Sequence, residues 1–442
     1  MKPSRLFADY GMVGVLLLLC VFFSVVTVSE QSPAGGTAVE QIRAKVVAIG
    51  PSPSVLIVAG DQPGDAELAR RLVAVLEPQA RVVGTAEGQP REARRELDRL
   101  AAAGTKLDAI ACTRSASTWL LFDDLSSDFP SLGKPVVVTA TPYRWSNFLK
   151  ADNLLNIANQ IAVIAILAIG MTIVIITGGI DLSVGSLLAL SAVVATRLIR
   201  DVAGGPSASA SGTVACCVAA IAMAAFAGGL SGVIITWFRI PPFIVTLAMM
   251  LVGSGLAFTL ADGQSIYQVP ESFVWLGRGA DLFGLPNAVV LMVALYAAAQ
   301  VLMSRTVLGR HFYCVGGNPT AAWLSGVRVS RVVQAAYVIS GLLAGLGGVI
   351  VASQLKSGAP TYGNMYELYV IAAVVVGGTS LRGGEGRMFG TLVGAFTIAV
   401  IQNGMNLTNI ESYTQKIVLG GVILAAVVVD QLRRGDPGKP WA

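Results

Sequence analysis

Ile164-Ala165-Ile166-Leu167-Ala168-Ile169-Gly170-Met171-Thr172-Ile173-Val174-Ile175-Ile176-Thr177-Gly178-Gly179-Ile180-Asp181-Leu182-Ser183-Val184-Gly185-Ser186-Leu187-Leu188-Ala189-Leu190 carries a single ionisable side chain, Asp181. Two apolar runs flank a glycine pair and a short polar turn. That pattern is a helix crossing a bilayer, a sharp stop and a second apolar helix. Similar apolar stretches of about 17 to 25 residues lie near 11–28, 154–177, 184–200, 213–236, 243–262, 287–304, 335–353, 365–377, 388–403 and 415–432. The expected fold class is therefore all-α and polytopic, with about ten transmembrane helices. The 365–377 and 388–403 runs are short and interrupted by glycine, as in broken or partly re-entrant helices that line protein or water.

Composition agrees. Of 442 residues 54% are hydrophobic and 13% charged, where soluble domains carry about a quarter charged. The net charge of +5 is spread as short basic clusters at the ends of apolar runs, which reads as membrane topology and not as a nucleic-acid surface. Cys20, Cys112, Cys216, Cys217 and Cys314 are scattered and His311 stands alone. Neither a disulfide framework, a metal site nor a catalytic triad is expected.

Lys2 and Arg5 precede the first apolar run, which is longer than a signal-peptide core and is followed by Val28-Ser29-Glu30-Gln31, without a small-x-small cleavage pattern. Residues 1–30 are therefore expected to be an uncleaved anchor. With that end in the cytoplasm, alternate short loops carry Arg239; Arg305, Arg310, Arg328 and Arg331; Arg382 and Arg387; and Arg433, Arg434 and Lys439. The opposite loops hold only Arg278 and Lys356, with Arg197 and Arg200 as the exception after the third run. This charge bias puts both termini in the cytoplasm, at the ends of a core spanning 147–434 and a tail spanning 435–442.

Between the first two runs lies a polar segment, 36–145, with a different pattern. Val55-Leu56-Ile57-Val58, Arg81-Val82-Val83, Leu107-Asp108-Ala109-Ile110-Ala111 and Pro135-Val136-Val137-Val138 read as strands, with helical stretches near 65–78 and 90–103. Alternation of this kind predicts a small inserted α/β domain. The alternating topology places it outside the cytoplasm, and long domains translocate largely regardless of their charge.

Asp181 has two readings. Gly178 and Gly179 end one helix while Asp181 or Ser183 caps the next, or an acid at membrane depth marks a pathway. Gly377-Gly378-Thr379-Ser380-Leu381-Arg382-Gly383-Gly384-Glu385-Gly386-Arg387 repeats the glycine-pair ending, through an internal repeat or through convergence on a common helix terminator. In the 305–334 loop, Asn318-Pro319-Thr320-Ala321-Ala322-Trp323-Leu324-Ser325-Gly326 predicts a short surface helix with Asn318 as cap and Gly326 as stop. Such a helix docks in a partner's groove or rests on lipid headgroups. No Gly-x-x-x-x-Gly-Lys-[Ser/Thr] occurs, Gly133-Lys134 and Gly438-Lys439 each being followed by proline, so any nucleotide belongs to another subunit. Asp181 and Glu367 are the main acids near membrane depth, fewer than ion-coupled carriers use. Gln402, Asn403 and Asn406 suit either a hydroxyl-rich solute or helix packing.

Three motifs carry a resemblance to the inner-membrane permeases of bacterial ABC importers for monosaccharides, of the ribose, xylose and arabinose type. They are Gly170-Met171-Thr172 through Gly178-Gly179-Ile180-Asp181-Leu182-Ser183-Val184-Gly185; Gly309-Arg310 through Gly316-Gly317-Asn318, Ala321-Ala322 and Ser325-Gly326; and Glu367-Leu368 through Gly377-Gly378-Thr379-Ser380-Leu381 with Gly383-Gly384 and Gly386-Arg387. The likeness covers 147–432, beginning with Asn153-Leu154-Leu155-Asn156 and Gln160. It implies a pore without chemistry of its own, formed with a second permease copy in the inner membrane. It also implies ATPase subunits that hold ATP and Mg and dock on 316–326, and a solute-binding protein outside. The candidate pathway residues are Gly178, Gly179, Asp181, Ser183, Gly185, Glu367, Gly377, Gly378 and Thr379 of these motifs, together with Asn403 and Asn406 as polar residues in apolar surroundings. Tyr369 departs from the Glu-Leu-Asp usual there. The 36–145 insertion is foreign to such permeases, and Arg91 to Thr113 within it is loosely similar to periplasmic sugar-binding proteins. A membrane sensor with an outer ligand-binding domain is the alternative.

Overall fold

The computed structural model describes residues 3–33 and 35–434; the expected tail 435–442 lies outside them. Its contacts divide the chain into two compact units, Val28–Ser146 and the rest. Helix α1 (Pro3–Val26) opens the larger unit.

The smaller unit contains β1 (Val28–Gln31), α2 (Gly35–Val47), β2 (Ser54–Ala59), α3 (Asp65–Leu76), β3 (Arg81–Glu87), α4 (Pro90–Ala102), β4 (Ala109–Cys112), α5 (Arg114–Ser117), α6 (Leu125–Asp128), β5 (Val136–Val138) and β6 (Tyr143–Ser146). Four strands form a parallel sheet in the order β3-β2-β4-β5. Val55, Ile57 and Ala111 pack on α2 and α3 through Ile42 and Leu72. On the other face Leu56, Val58 and Ile110 meet Leu97 and Leu100 of α4. Burial on both faces is why Val55 to Val58 is a continuous apolar run and not an alternating one. Burial also pushes the Cys112 thiol up to about 12, which makes it inert. Strands β1 and β6 pair antiparallel, Val28 opposite Ser146, and close the unit where the chain enters and leaves it.

The larger unit continues with α7 (Ala151–Ile176), α8 (Val184–Asp201), α9 (Ala210–Phe238), α10 (Pro242–Leu260), α11 (Trp275–Arg278), α12 (Asn287–Arg305), α13 (Val307–Gly317), α14 (Pro319–Leu324), α15 (Val329–Leu355), α16 (Tyr366–Val376), α17 (Met388–Leu407) and α18 (Ser412–Arg434). Among the described residues six of these, α7, α9, α10, α12, α15 and α17, are long and apolar enough to cross a membrane, and Gly11–Val26 and Tyr366–Val376 are shorter apolar helices. The chain is a mostly helical, polytopic membrane protein. Helix α7 is buried almost without interruption from Ile161 to Ile176 and forms the centre of the core with α15.

The two runs expected to be broken behave differently. Residues 388–403 belong to the uninterrupted 20-residue α17. The apolar run looks short because it closes on Gln402 and Asn403, the second of which pairs with Asn153 of α7. Residues 365–377 are a genuine short helix, α16, with 11 residues, preceded by Met365 at φ 65°.

Helices α9 and α15 cross at Gly228, Gly232, Gly341 and Gly345, two glycine pairs at four-residue spacing. A Cβ on Gly341 would overlap the carbonyl oxygen of Ala224, and one on Gly228 that of Tyr337. Small residues at this spacing let two backbones touch, which drives association in lipid where burial alone supplies little. Gly341→Leu is expected to separate the pair and to lower the thermal stability of the detergent-solubilised protein by about 2–3 kcal/mol. Gly255→Leu, whose Cβ meets nothing within 4 Å, should leave the unfolding midpoint in place.

Candidate translocation and coupling site

Helix α7 stops because Gly178, at φ 85°, turns the chain into the left-handed region. Its N–H donates to the Ile175 carbonyl (2.9 Å) and that of Gly179 to the Val174 carbonyl (3.0 Å). Helix α16 ends identically: Gly378, at φ 86°, donates to Val375 (2.8 Å) and Thr379 to Val374 (3.1 Å). Both are Schellman endings. The two glycine segments thus share the geometry of stopping a helix.

Beyond Gly178 the turn folds inward. Asp181 is fully buried and accepts three hydrogen bonds. Its Oδ1 takes the Ser183 N–H (2.9 Å) and the Ser183 hydroxyl (2.5 Å), and its Oδ2 takes the Ser340 hydroxyl of α15 (2.7 Å). Ser183 occupies the N-cap position of α8 but makes no side-chain capping bond. Asp181 therefore ties the turn to α15, a role that the capping reading missed. Neither Ser340 nor Tyr337, whose hydroxyl reaches the Ile180 carbonyl at 3.4 Å, stands out in the sequence. Both sit more than 150 residues away in an ordinary apolar run.

Gly185, in the first turn of α8, faces the backbone of Gly363 and the carboxylate of Glu367. A Cβ there would come to 2.5 Å from the Gly363 carbonyl oxygen and 2.6 Å from Glu367 Oε2. These residues line a cavity of about 290 Å³, with Ser186, Ser254, Phe258 and Tyr362 among its other walls. The irregular stretch Pro360–Met365 supplies one side, α8 and α10 the other. One carboxylate, several hydroxyls and two aromatic rings around a half-open space suit a small polar, hydroxyl-rich solute.

The remaining glycines meet at a second place. The N–H of Gly384 donates to the Ile176 carbonyl at the end of α7 (2.8 Å). A Cβ on Gly316 of α13 would overlap that same oxygen and lie 2.6 Å from the Gly384 nitrogen. A Cβ on Gly384 would be 2.8 Å from Gly317 Cα, and one on Gly383 3.1 Å from Gly178 Cα. Three backbone segments thus touch where any side chain would hold them apart. The Tyr313 hydroxyl donates to the Gly386 carbonyl (2.8 Å), and burial holds that phenol above its ordinary range, so it stays a neutral donor. On the other side Gly377 packs directly on Gly390 of α17.

Helix α14 follows this junction. Asn318 caps it by accepting the Ala321 N–H (3.0 Å), and Gly326 follows at φ 83°. Ala322 is buried while Ala321 and Ser325 are exposed, and Trp323 and Leu324 stand 67% and 73% exposed. Asn403 and Asn406 join neither cluster. Asn403 exchanges two hydrogen bonds with Asn153 of α7 (2.8 and 3.1 Å), and Asn406 accepts from Gln415 of α18 (2.7 Å). Both bond to side chains of neighbouring helices.

Residues 153–427 match the protein family described as Branched-chain amino acid transport system / permease component. The chain is 43% identical to the ribose import permease protein of Escherichia coli (strain K12) over 303 residues, 68% of this chain and 90% of that protein. It is 41% identical over 305 residues to the ribose import permease protein of Bacillus subtilis (strain 168), 68% and 92% of the two chains. The D-allose transport system permease protein of Escherichia coli (strain K12) is 33% identical over 285 residues, 64% of this chain and 85% of that one. No solved structure matches the chain. With more than half its length in one family match and the three motifs converging in a membrane core, the chain belongs to the branched-chain amino acid transport system / permease component family.

Proposed function

We propose that this chain is the permease subunit of an ATP-binding-cassette importer in the bacterial inner membrane and forms the translocation pathway for a monosaccharide. The similar proteins named for ribose and D-allose supply the substrate class. The observation that carries the reading is the cavity at the broken span, where Gly185 of one motif meets Glu367 of another. Discontinuous helices at membrane depth are where transporters hold their solutes. Ten crossings would then consist of α1, α7, α8, α9, α10, α12, α15, the irregular stretch from Ser357 joined to α16, α17 and α18. Both termini would be cytoplasmic and Val28–Ser146 extracytoplasmic. The similar proteins being transport permeases, a sensor has no comparable support.

The chain itself would bind no nucleotide. An ATPase subunit carrying ATP and Mg would dock on the 316–326 segment, a solute-binding protein would deliver from outside, and a second copy of the chain would complete the pore. Trp323 and Leu324 are the exposed apolar anchors such a groove would accept. Uptake of a panel of labelled monosaccharides into proteoliposomes holding the chain, its ATPase and its binding protein tests the reading. ATP-dependent accumulation of one of them is expected, and accumulation of none overturns it. Trp323→Ala is expected to weaken co-purification of the ATPase at least about tenfold, the loss typical of a buried aromatic anchor, without altering the thermal stability of the permease alone.

A further inference from the structure

Helix α16 connects the two clusters described above. Glu367 in its first turn borders the cavity, and Gly377 at its C-cap opens the glycine junction against which α13 packs. Its 11 residues make a rod about 16 Å long. It is held along its length by α17, where a Cβ on Gly394 would overlap the Ala373 carbonyl and one on Gly390 that of Gly377. At the junction itself the contact is between glycine backbones, Gly316 and Gly317 of α13 against Gly384 and Gly383 against Gly178.

One polar group in the junction has no partner. Thr379, the residue after the Schellman glycine of α16, is 1% exposed, and its hydroxyl makes no hydrogen bond. Most buried hydroxyls in this membrane core return their proton to a carbonyl one turn back, as Thr172, Thr196 and Thr397 do. Thr379 lies beyond the C-cap of α16 and makes no such bond. Its side chain lies against Gly386, where an added Cβ would come within 2.8 Å of Thr379 Cγ2 and 3.0 Å of Ile176 Cδ1 at the end of α7. Leaving a buried hydroxyl unbonded is costly, so a conformation in which it is bonded gains on this one.

Resting on the permease reading, we propose that Thr379 is the positioning residue of a lever. Movement at α13 and α14 shifts the glycine junction, Thr379 exchanges its unbonded state for a bonded one, and α16 carries the displacement to Glu367 and the wall of the cavity. The two ends of the lever are thereby biased by the same two-state element, which is what energetic coupling between distant sites requires.

The test uses the complete complex in proteoliposomes and measures solute accumulated per ATP hydrolysed. Thr379→Val keeps the shape and removes the group that is unsatisfied in this conformation. It should raise the thermal stability of the permease, leave ATPase association intact and lower the transport ratio by about tenfold, the factor expected of a hydroxyl satisfied in only one of two states. Thr379→Ser keeps the hydroxyl and should restore the ratio. A valine variant with the unsubstituted ratio overturns the lever. So does loss of folded complex in both variants, which would make Thr379 a packing residue only. Failure of the unsubstituted complex to take up any monosaccharide strikes the permease reading instead and is seen before any variant is compared.

Discussion

Replacing Gly316 with alanine should collapse the glycine junction, while the same replacement at the adjacent Gly317 should do nothing or stabilise. Both glycines lie in the last turn of α13, where alanine is favoured over glycine by up to about 1 kcal/mol. Around Gly317 a Cβ meets nothing within 4 Å, whereas around Gly316 it overlaps the Ile176 carbonyl oxygen and presses on the Gly384 nitrogen. These are backbone atoms and cannot rotate aside. Overpacking of this kind costs about 1–3 kcal/mol. Separating Gly384 from Ile176 breaks a backbone hydrogen bond worth about 1 kcal/mol. The net loss at Gly316 is about 2–3 kcal/mol, against a small gain at Gly317. Thermal unfolding of the two variants in detergent, followed by the fraction eluting as folded protein, gives the comparison. Equal midpoints would remove the three-backbone contact from the account.

Much of this arrangement was open to reading because helix endings are local. Gly178 and Gly378 stop their helices through bonds to carbonyls three and five residues back, and the Asn318, Pro319 and Gly326 positions fix α14 from nine consecutive residues. Convergence of these endings was not readable. Ile176, Gly316 and Gly384 are separated by 140 and 68 positions, and a glycine that stops a helix looks the same as one that admits another backbone. The small-residue pairs Gly228 and Gly232, Gly341 and Gly345 did carry a legible spacing for the α9 and α15 crossing. Periodicity misjudged α17 for the opposite reason: Asn403 reads as an end of the apolar run, yet in the fold it is paired with Asn153. A polar residue inside a membrane helix shortens an apparent span whenever its partner lies elsewhere in the sequence.

The second large effect concerns Asp181 and decides between a structural tie to α15 and an acid on the pathway. The carboxylate accepts from one backbone N–H and two hydroxyls, in full burial. Asp181→Leu fills a similar space and offers no acceptor. The Ser340 hydroxyl can turn back to its own helix, but the Ser183 N–H in the turn has no alternative. The expected destabilisation is about 2–5 kcal/mol, the range for stripping partners from buried donors. Asp181→Asn keeps one acceptor oxygen where Oδ1 stood, and the serine hydroxyls can reorient toward its amide. Its cost should stay near 1 kcal/mol, the net worth of a typical hydrogen bond. If the acid served as a charged station on the pathway, the asparagine variant would fold normally and stop transporting. If it is the tie between the α7–α8 turn and α15, the asparagine variant transports and the leucine variant fails to assemble. The geometry favours the tie, because both oxygens are already committed and Asp181 is not among the residues lining the cavity. Ser340→Ala supplies the check: a tie predicts that its cost largely vanishes once Asp181 is leucine, a coupling that a double-mutant cycle in thermal stability reads directly.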